Sequence, residues 1–291
     1  MPLTAVTAHR ARLGESPFWD TPTQALYWVD IIGKQALRLS KGHLQVWQLP
    51  EHASAFIPTV SGDALLTMSS GVYRLDLASA PDSPSLALFC VADPLTGNRG
   101  NEARCDARGR LWLGTMQNNI GEQGEDIPVT RRSGGLFRVD ADAQVTPLLQ
   151  GLGIPNTLLW NDDATQLHFG DSLDAIIYQH TIHPDGQLHS PEVWFGPHSR
   201  GVPDGSAMDS QGYIWNARWD GSCLLRLSPK GEVDRVVELP VSRPTSCVFG
   251  GPDLTTLYIT SAAGPLDHPM DGAVLAMTVD VPGKPCHRFA G

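Results

Sequence analysis

The sequence predicts an all-β protein, a six-bladed β-propeller, and three observations carry that expectation. A strand-and-turn unit recurs six times, its spacing is that of a propeller blade, and no stretch has the apolar period and caps of a helix. The unit is a turn of Asp, Asn, Gly or Ser followed by a short apolar-aromatic strand. Its copies are 20–30 (DTPTQALYWVD), 61–67 (SGDALLT), 106–114 (DARGRLWLG), 161–170 (NDDATQLHFG), 209–215 (DSQGYIW) and 251–260 (GPDLTTLYIT).

A second strand follows each copy, at 35–39, 71–76, 135–140, 176–179, 223–227 and 273–277, several of them alternating apolar and polar residues. With Leu26, Leu65, Leu111, Leu167, Ile214 and Leu257 as equivalent points, the spacings are 39, 46, 56, 47 and 43 residues. A four-stranded blade takes about 40–50. Six units fill the chain, so 1–291 is expected to be one domain without a linker. A β-sandwich has no reason to repeat such a unit six times. The longest spacing holds 117–134, polar and without periodicity, which reads as a long loop between two strands of the third blade.

Composition narrows the partners. The formal net charge of -10 repels polyphosphate and anionic lipid, so neither nucleic acid nor a membrane surface is expected. Five widely spaced cysteines, with no CxxC pair, argue against a disulfide framework or a zinc-thiolate site and for a reducing, cytoplasmic setting. The N-terminal residues lack the charged and apolar regions of a signal peptide, and no apolar run approaches the roughly 18 residues of a membrane span. A monomer or weak homo-oligomer is expected.

The innermost strand of each blade precedes the turn. Ten or eleven residues before each reference point stand Glu15, Asn101, Asn156 and Asp204, from blades one, three, four and five. Blade six offers Thr245 and Ser246 nearby, and blade two only Ser54 and Ala55. Such positions lie at one mouth of a propeller's central channel and face one another. Two carboxylates and two carboxamides so placed repel unless a cation neutralises the acids. Oxygen-only donors favour Ca²⁺, Mg²⁺ or Mn²⁺, with Zn²⁺ or Fe²⁺ also admissible.

These segments carry a family resemblance. LGESPFW (13–19), RGNE (99–102), DARGRLWLGTM (106–116), IPNTLLW (154–160), PDGS (203–206) and TSCVFGG (245–251) resemble the senescence-marker-protein (regucalcin), gluconolactonase and luciferin-regenerating family from first blade to last. The resemblance implies a six-bladed propeller with one divalent ion, held by Glu15, Asn156 and Asp204. It implies Asn101 as a looser ligand or a substrate contact, and Arg99 as a group reaching substrate oxygens. The family usually carries Asp where this chain has Glu102; the longer acid is expected to reach into the pocket and alter sugar preference.

The implied activity is hydrolysis of a sugar lactone, such as a glucono-, galactono-, xylono- or arabinono-lactone. A metal with open positions polarises the carbonyl and activates water, with Asp204 as general base and Arg99, Asn101 and Glu102 contacting substrate. The alternatives are a non-catalytic calcium-binding propeller and an organophosphate or aryl-ester hydrolase. No G-x-S-x-G elbow is present. His52 and His198 lie near the expected mouth as weaker candidates for substrate contact, and loop 117–134 is expected to emerge on the ligand side as a partial lid.

Overall fold

The structure, a computed structural model, describes residues 3–264 and 268–291. Strand β1 (Thr4–Ala5) is set apart by the chain that follows it. Blade one is β2 (Gly14–Asp20), β3 (Ala25–Asp30), β4 (Gln35–Ser40) and β5 (His43–Gln48). Blade two is β6 (Ala53–Pro58), β7 (Ala64–Met68), β8 (Gly71–Leu75) and β9 (Leu86–Cys90). Blade three is β10 (Asn98–Cys105), β11 (Leu111–Gln117), β12 (Gly134–Val139) and β13 (Val145–Leu152). Blade four is β14 (Pro155–Trp160), β15 (Gln166–Asp171), β16 (Ile176–Thr181) and β17 (Glu192–Phe195). Blade five is β18 (Val202–Met208), β19 (Ile214–Trp219), β20 (Cys223–Leu227) and β21 (Val233–Glu238). Blade six is β22 (Pro244–Gly250), β23 (Thr256–Ser261) and β24 (Leu275–Thr278), completed by β1, which pairs antiparallel with β24. The N-terminus thus supplies the outermost strand of the last blade and closes the ring. The six-bladed propeller read from the sequence is the architecture found, with no helix among the described residues.

The recurring Asp-turn-Trp unit has a hydrogen-bonding cause. Asp106 and Asp209 each accept a turn N–H through Oδ1, from Arg108 and Gln211. Their Oδ2 atoms accept the indole N–H of Trp112 at 2.9 Å and of Trp215 at 3.1 Å. The acid closes the turn and the indole locks the next strand against it, so one motif fixes both turn and register.

The chain end runs over the face opposite the starts of the inner strands. Gly283 bridges Asp209 of blade five and Phe289 bridges Thr59 of blade two, while the Ala290 N–H bonds the Gly109 carbonyl of blade three.

Candidate functional site at the propeller mouth

Every inner strand breaks register at the same height. The shifts fall between Glu15 and Phe18, Ala53 and Ala55, Gly100 and Ala103, Asn156 and Leu158, Pro203 and Ser206, and Pro244 and Ser246. A bulge inserts an unpaired residue and re-aims its neighbours. Here Asn101, Glu102 and Asp204 lie inside bulges, and Glu15 and Asn156 directly precede them. Ser16 and Thr157, the residues after those two, take positive φ values of 50° and 40°, a conformation that costs a non-glycine residue about 1–3 kcal/mol.

Small side chains at or beside these bulges tie blade three to four, four to five and six to one. Asn101 Nδ2 donates to the Pro155 carbonyl (2.9 Å) and to Asn156 Oδ1 (3.2 Å). Thr157 Oγ1 donates to the Asp204 carbonyl (2.6 Å), and Ser172 Oγ to that of Pro203 (2.5 Å). Thr245 Oγ1 donates to Gly14 O (2.5 Å), linking the sixth blade to the first. The strands approach so closely that a Cβ on Gly100 would lie 2.9 Å from Ser54 Oγ. The site residues are therefore held by a belt of side chain-to-backbone bonds between blades.

The structure brings Glu15, Arg99, Asn101, Asn156 and Asp204 to one mouth. Asn156 is fixed from its other side by donating to Ser172 Oγ at 2.8 Å. Glu15 Oε2 accepts the Ser16 N–H and Asp204 Oδ1 the Gly205 N–H, both at 3.0 Å. Neither carboxylate forms an ion pair among the described residues. Burial, and next the charge of Glu102, push the Glu15 carboxyl up to about 8. Burial, then Glu15 and Glu102, hold Asp204 well above the usual carboxylate range. Arg99 is brought down to about 10 by burial, against the pull of Glu15 and Asp204. The mouth thus gathers buried negative charge that the protein only partly offsets.

Glu102 adjoins this group, since its charge raises the carboxyls of both Glu15 and Asp204. It is 6% exposed, and its Oε1 lies 3.5 Å from Arg104 Nε, farther along the strand. Asn101 turns to blade four.

Arg99 is spent on protein acceptors. Nη1 donates to Gly100 O (2.7 Å) and Asn101 Oδ1 (2.9 Å), while Nε and Nη2 donate to Asn119 Oδ1 (3.2 and 2.7 Å). Asn119 belongs to the loop between β11 and β12. That loop emerges beside the start of β10, where Arg99 pairs with Met116. It is closed on itself by Gln117 Oε1, which accepts the N–H of Thr130 and Arg131. Its far end reaches blade one, where Arg12 Nη2 donates to Gln123 O at 3.0 Å.

Two residues behind the mouth carried no signal in the sequence. Arg218 is fully buried, brought down to about 10 by burial, and donates to the carbonyls of Arg200 (3.0 Å) and Gly201 (2.6 Å) and to Asn216 Oδ1 (2.9 Å). Asn216 Nδ2 donates to the Asp204 carbonyl at 3.0 Å. His198 accepts the Arg200 N–H, and His52 lies in the field of Lys34, Arg99 and Arg12. His180 and His183 are remote; His180 Nδ1 lies 2.8 Å from His189 O.

Among the described residues no three His, Cys, Asp or Glu side chains gather to hold a metal. The set at the mouth is two carboxylates and two carboxamides. Glu15 Oε1 and Asp204 Oδ2 take no protein hydrogen bond among the described residues, so hard oxygens are left over, and the donor set suits a hard divalent cation. No helix is long and apolar enough to cross a membrane.

A family model described as SMP-30/Gluconolactonase/LRE-like region matches residues 13–263. A 6-deoxy-6-sulfogluconolactonase of Pseudomonas putida is 34% identical over 99% of this chain and 99% of its own length. An L-arabinolactonase of Azospirillum brasilense is 32% identical over 99% and 95%. A solved structure described as a calcium-binding protein, regucalcin, from Agrobacterium tumefaciens matches with a TM-score of 0.88 at 26% identity, covering 98% of this chain and 96% of that one.

Proposed function

This chain belongs to the SMP-30/gluconolactonase/LRE-like family, and we propose that it hydrolyses a sugar lactone to the aldonic acid with one divalent cation held by Glu15, Asn156 and Asp204. The observation that carries the proposal is the pair of carboxylates, half-buried Glu15 and buried Asp204, at one mouth with no ion pair to either among the described residues. Relatives at 32–34% identity along nearly the whole chain are named as lactonases, which supports the reading.

When bound, the cation polarises the lactone carbonyl, lowers the pKa of a water and stabilises negative charge on oxygen. Asp204 accepts the proton of the attacking water. The water oxygen bonds to the carbonyl carbon, the ring C–O bond breaks, and the ring oxygen takes up a proton as the new hydroxyl. Arg99 and Asn101, bonded to each other at 2.9 Å, form a rigid edge that orients the ring hydroxyls. Glu102, whose charge is felt by both acids, reaches into the pocket and alters sugar preference. Loop 117–134, pinned at Asn119 and Gln123, is a partial lid that sets ring preference.

The test is a pH-stat assay on gluconolactone, galactonolactone, xylonolactone and arabinonolactone, with paraoxon alongside. Acid release from at least one lactone, lost on chelation and in Glu15→Gln and restored to the wild type by metal, is the expected result. Turnover unaffected by chelator and by Glu15→Gln would overturn it, and paraoxon as the sole substrate would select an organophosphate hydrolase. A calcium-binding propeller without turnover is the second reading, favoured by the description of the Agrobacterium relative. Calcium binding without lactone hydrolysis would select it.

A further inference from the structure

The propeller axis has a second end, and it is not bare. The inner strands run from the mouth to a cavity of about 160 Å³ near the opposite face, walled by Phe18, Ile57, Leu158, Met208 and Phe249. Residues Lys284 to His287 of the chain end form part of its rim. Arg104 also lines it, five residues along β10 from Arg99, or roughly 16 Å at the rise of a strand. The lactone site uses none of these walls.

Arg104 differs from the other two arginines of the axis. Arg99 and Arg218 each spend their guanidinium on three or more protein acceptors. Arg104 Nε is buried and pairs with Glu102 Oε1 at 3.5 Å, beyond good hydrogen-bond geometry, and no Nη of Arg104 has a hydrogen bond among the described residues. This long ion pair engages one edge of the guanidinium only. The other cation at the cavity, Lys284, is taken up by Asp162 at 2.5 Å and Met208 Sδ at 3.1 Å. A guanidinium offers five N–H donors in a planar fork that matches a carboxylate, and the pair with Glu102 leaves the Nη donors of Arg104 open to a second acceptor.

We propose that this cavity is a binding site for a small organic carboxylate with an apolar body. The guanidinium of Arg104 takes the carboxylate, and the body lies against Phe18, Met208 and Phe249. The size fits, since an apolar cavity of roughly 150 Å³ admits a benzene ring. A polyhydroxylated acid fits poorly, because those walls offer its hydroxyls no partners. The site is independent of the lactone reading and stands whether or not the mouth is catalytic.

The probe is benzoate, titrated calorimetrically into the whole protein with the mouth loaded with calcium, and benzamide is its neutral counterpart. Benzoate is expected to bind one to one with a Kd near or below about 1 mM, and benzamide at least tenfold more weakly. Arg104→Gln removes the anion partner and is expected to weaken benzoate at least tenfold. Ala107→Trp blocks the cavity rim without touching Arg104 and is expected to do the same, so the test stands even where the arginine variant fails to fold. Absence of benzoate binding, equal binding of benzamide, or benzoate binding unchanged in Ala107→Trp would each overturn the proposal. Gluconate binding as tightly as benzoate would overturn the chemical class.

Discussion

Replacing Glu15 by Gln should have opposite effects with and without metal, and the sign reversal separates a metal ligand from an ordinary buried acid. Burial and the charge of Glu102 move the Glu15 carboxyl from 4.5 to about 8 in the metal-free protein. That interval is roughly 3.5 decades of proton affinity at about 1.4 kcal/mol each, or a ceiling of about 5 kcal/mol. The native state holds this proton more tightly than the unfolded chain. Stability of the metal-free protein therefore falls as pH rises from about 4.5 to about 8, and the full loss is present above that window. Gln removes the charge, so metal-free Glu15→Gln should be more stable than the metal-free wild type at pH 9, by about 2 kcal/mol or more. At pH 5 the two should differ little. Saturating calcium should restore the wild type at pH 9 by mass action and leave the variant nearly unmoved. Urea unfolding at pH 5 and pH 9, with chelator or with calcium, measures all of this. A metal-free variant no more stable than the wild type at pH 9 would refute the claim that this carboxylate carries uncompensated charge.

Asp204→Asn should lower kcat about 10²–10⁴-fold with the fold intact by circular dichroism; near wild-type turnover with metal bound would remove Asp204 as the base. Thr157→Val takes away a donor to the Asp204 carbonyl and should cost about 1–3 kcal/mol of stability, read by denaturant titration, together with a fall in kcat. Shortening loop 117–134 to a Gly-containing turn should raise KM or reorder the lactones while calcium affinity, measured calorimetrically, stays put. Asn119→Ala, which strips two acceptor contacts from Arg99, should reproduce part of that KM change.

The blades were legible because their signal is local and repeated. Asp106 and Asp209 close a turn and hold an indole six residues on, so the motif needs nothing from elsewhere in the chain to make sense. The convergence of Glu15, Asn101, Asn156 and Asp204 was also legible, since equal phase in a repeat becomes equal height on a propeller. Which way each side chain points was not. Strict alternation along a strand would send Asn101 and Glu102 to opposite faces. The bulge between Gly100 and Ala103 breaks that alternation: Asn101 reaches Asn156, and Glu102 pairs with Arg104 while its charge still acts on Glu15 and Asp204. No residue in RGNE announces a bulge, because it arises from how six strands crowd one axis.

That crowding also explains what supports the site. Six strands meeting at one point leave no room for a second layer of large side chains, so Thr157, Ser172, Thr245 and Asn101 fasten the blades by reaching the next strand's carbonyls. Short hydroxyl and amide side chains are common in turns everywhere, and a sequence gives no reason to prefer these four. Arg218 is hidden for the opposite reason. An arginine within a strand pattern reads as a solvated residue, yet here three backbone or amide oxygens surround its guanidinium behind Asp204. The chemistry-bearing acids could be found from their phase alone. The residues that hold them could be found only once the carbonyls they serve had positions, and for that reason a change at Thr157 or Arg218 should disturb the mouth as surely as one at Asn101.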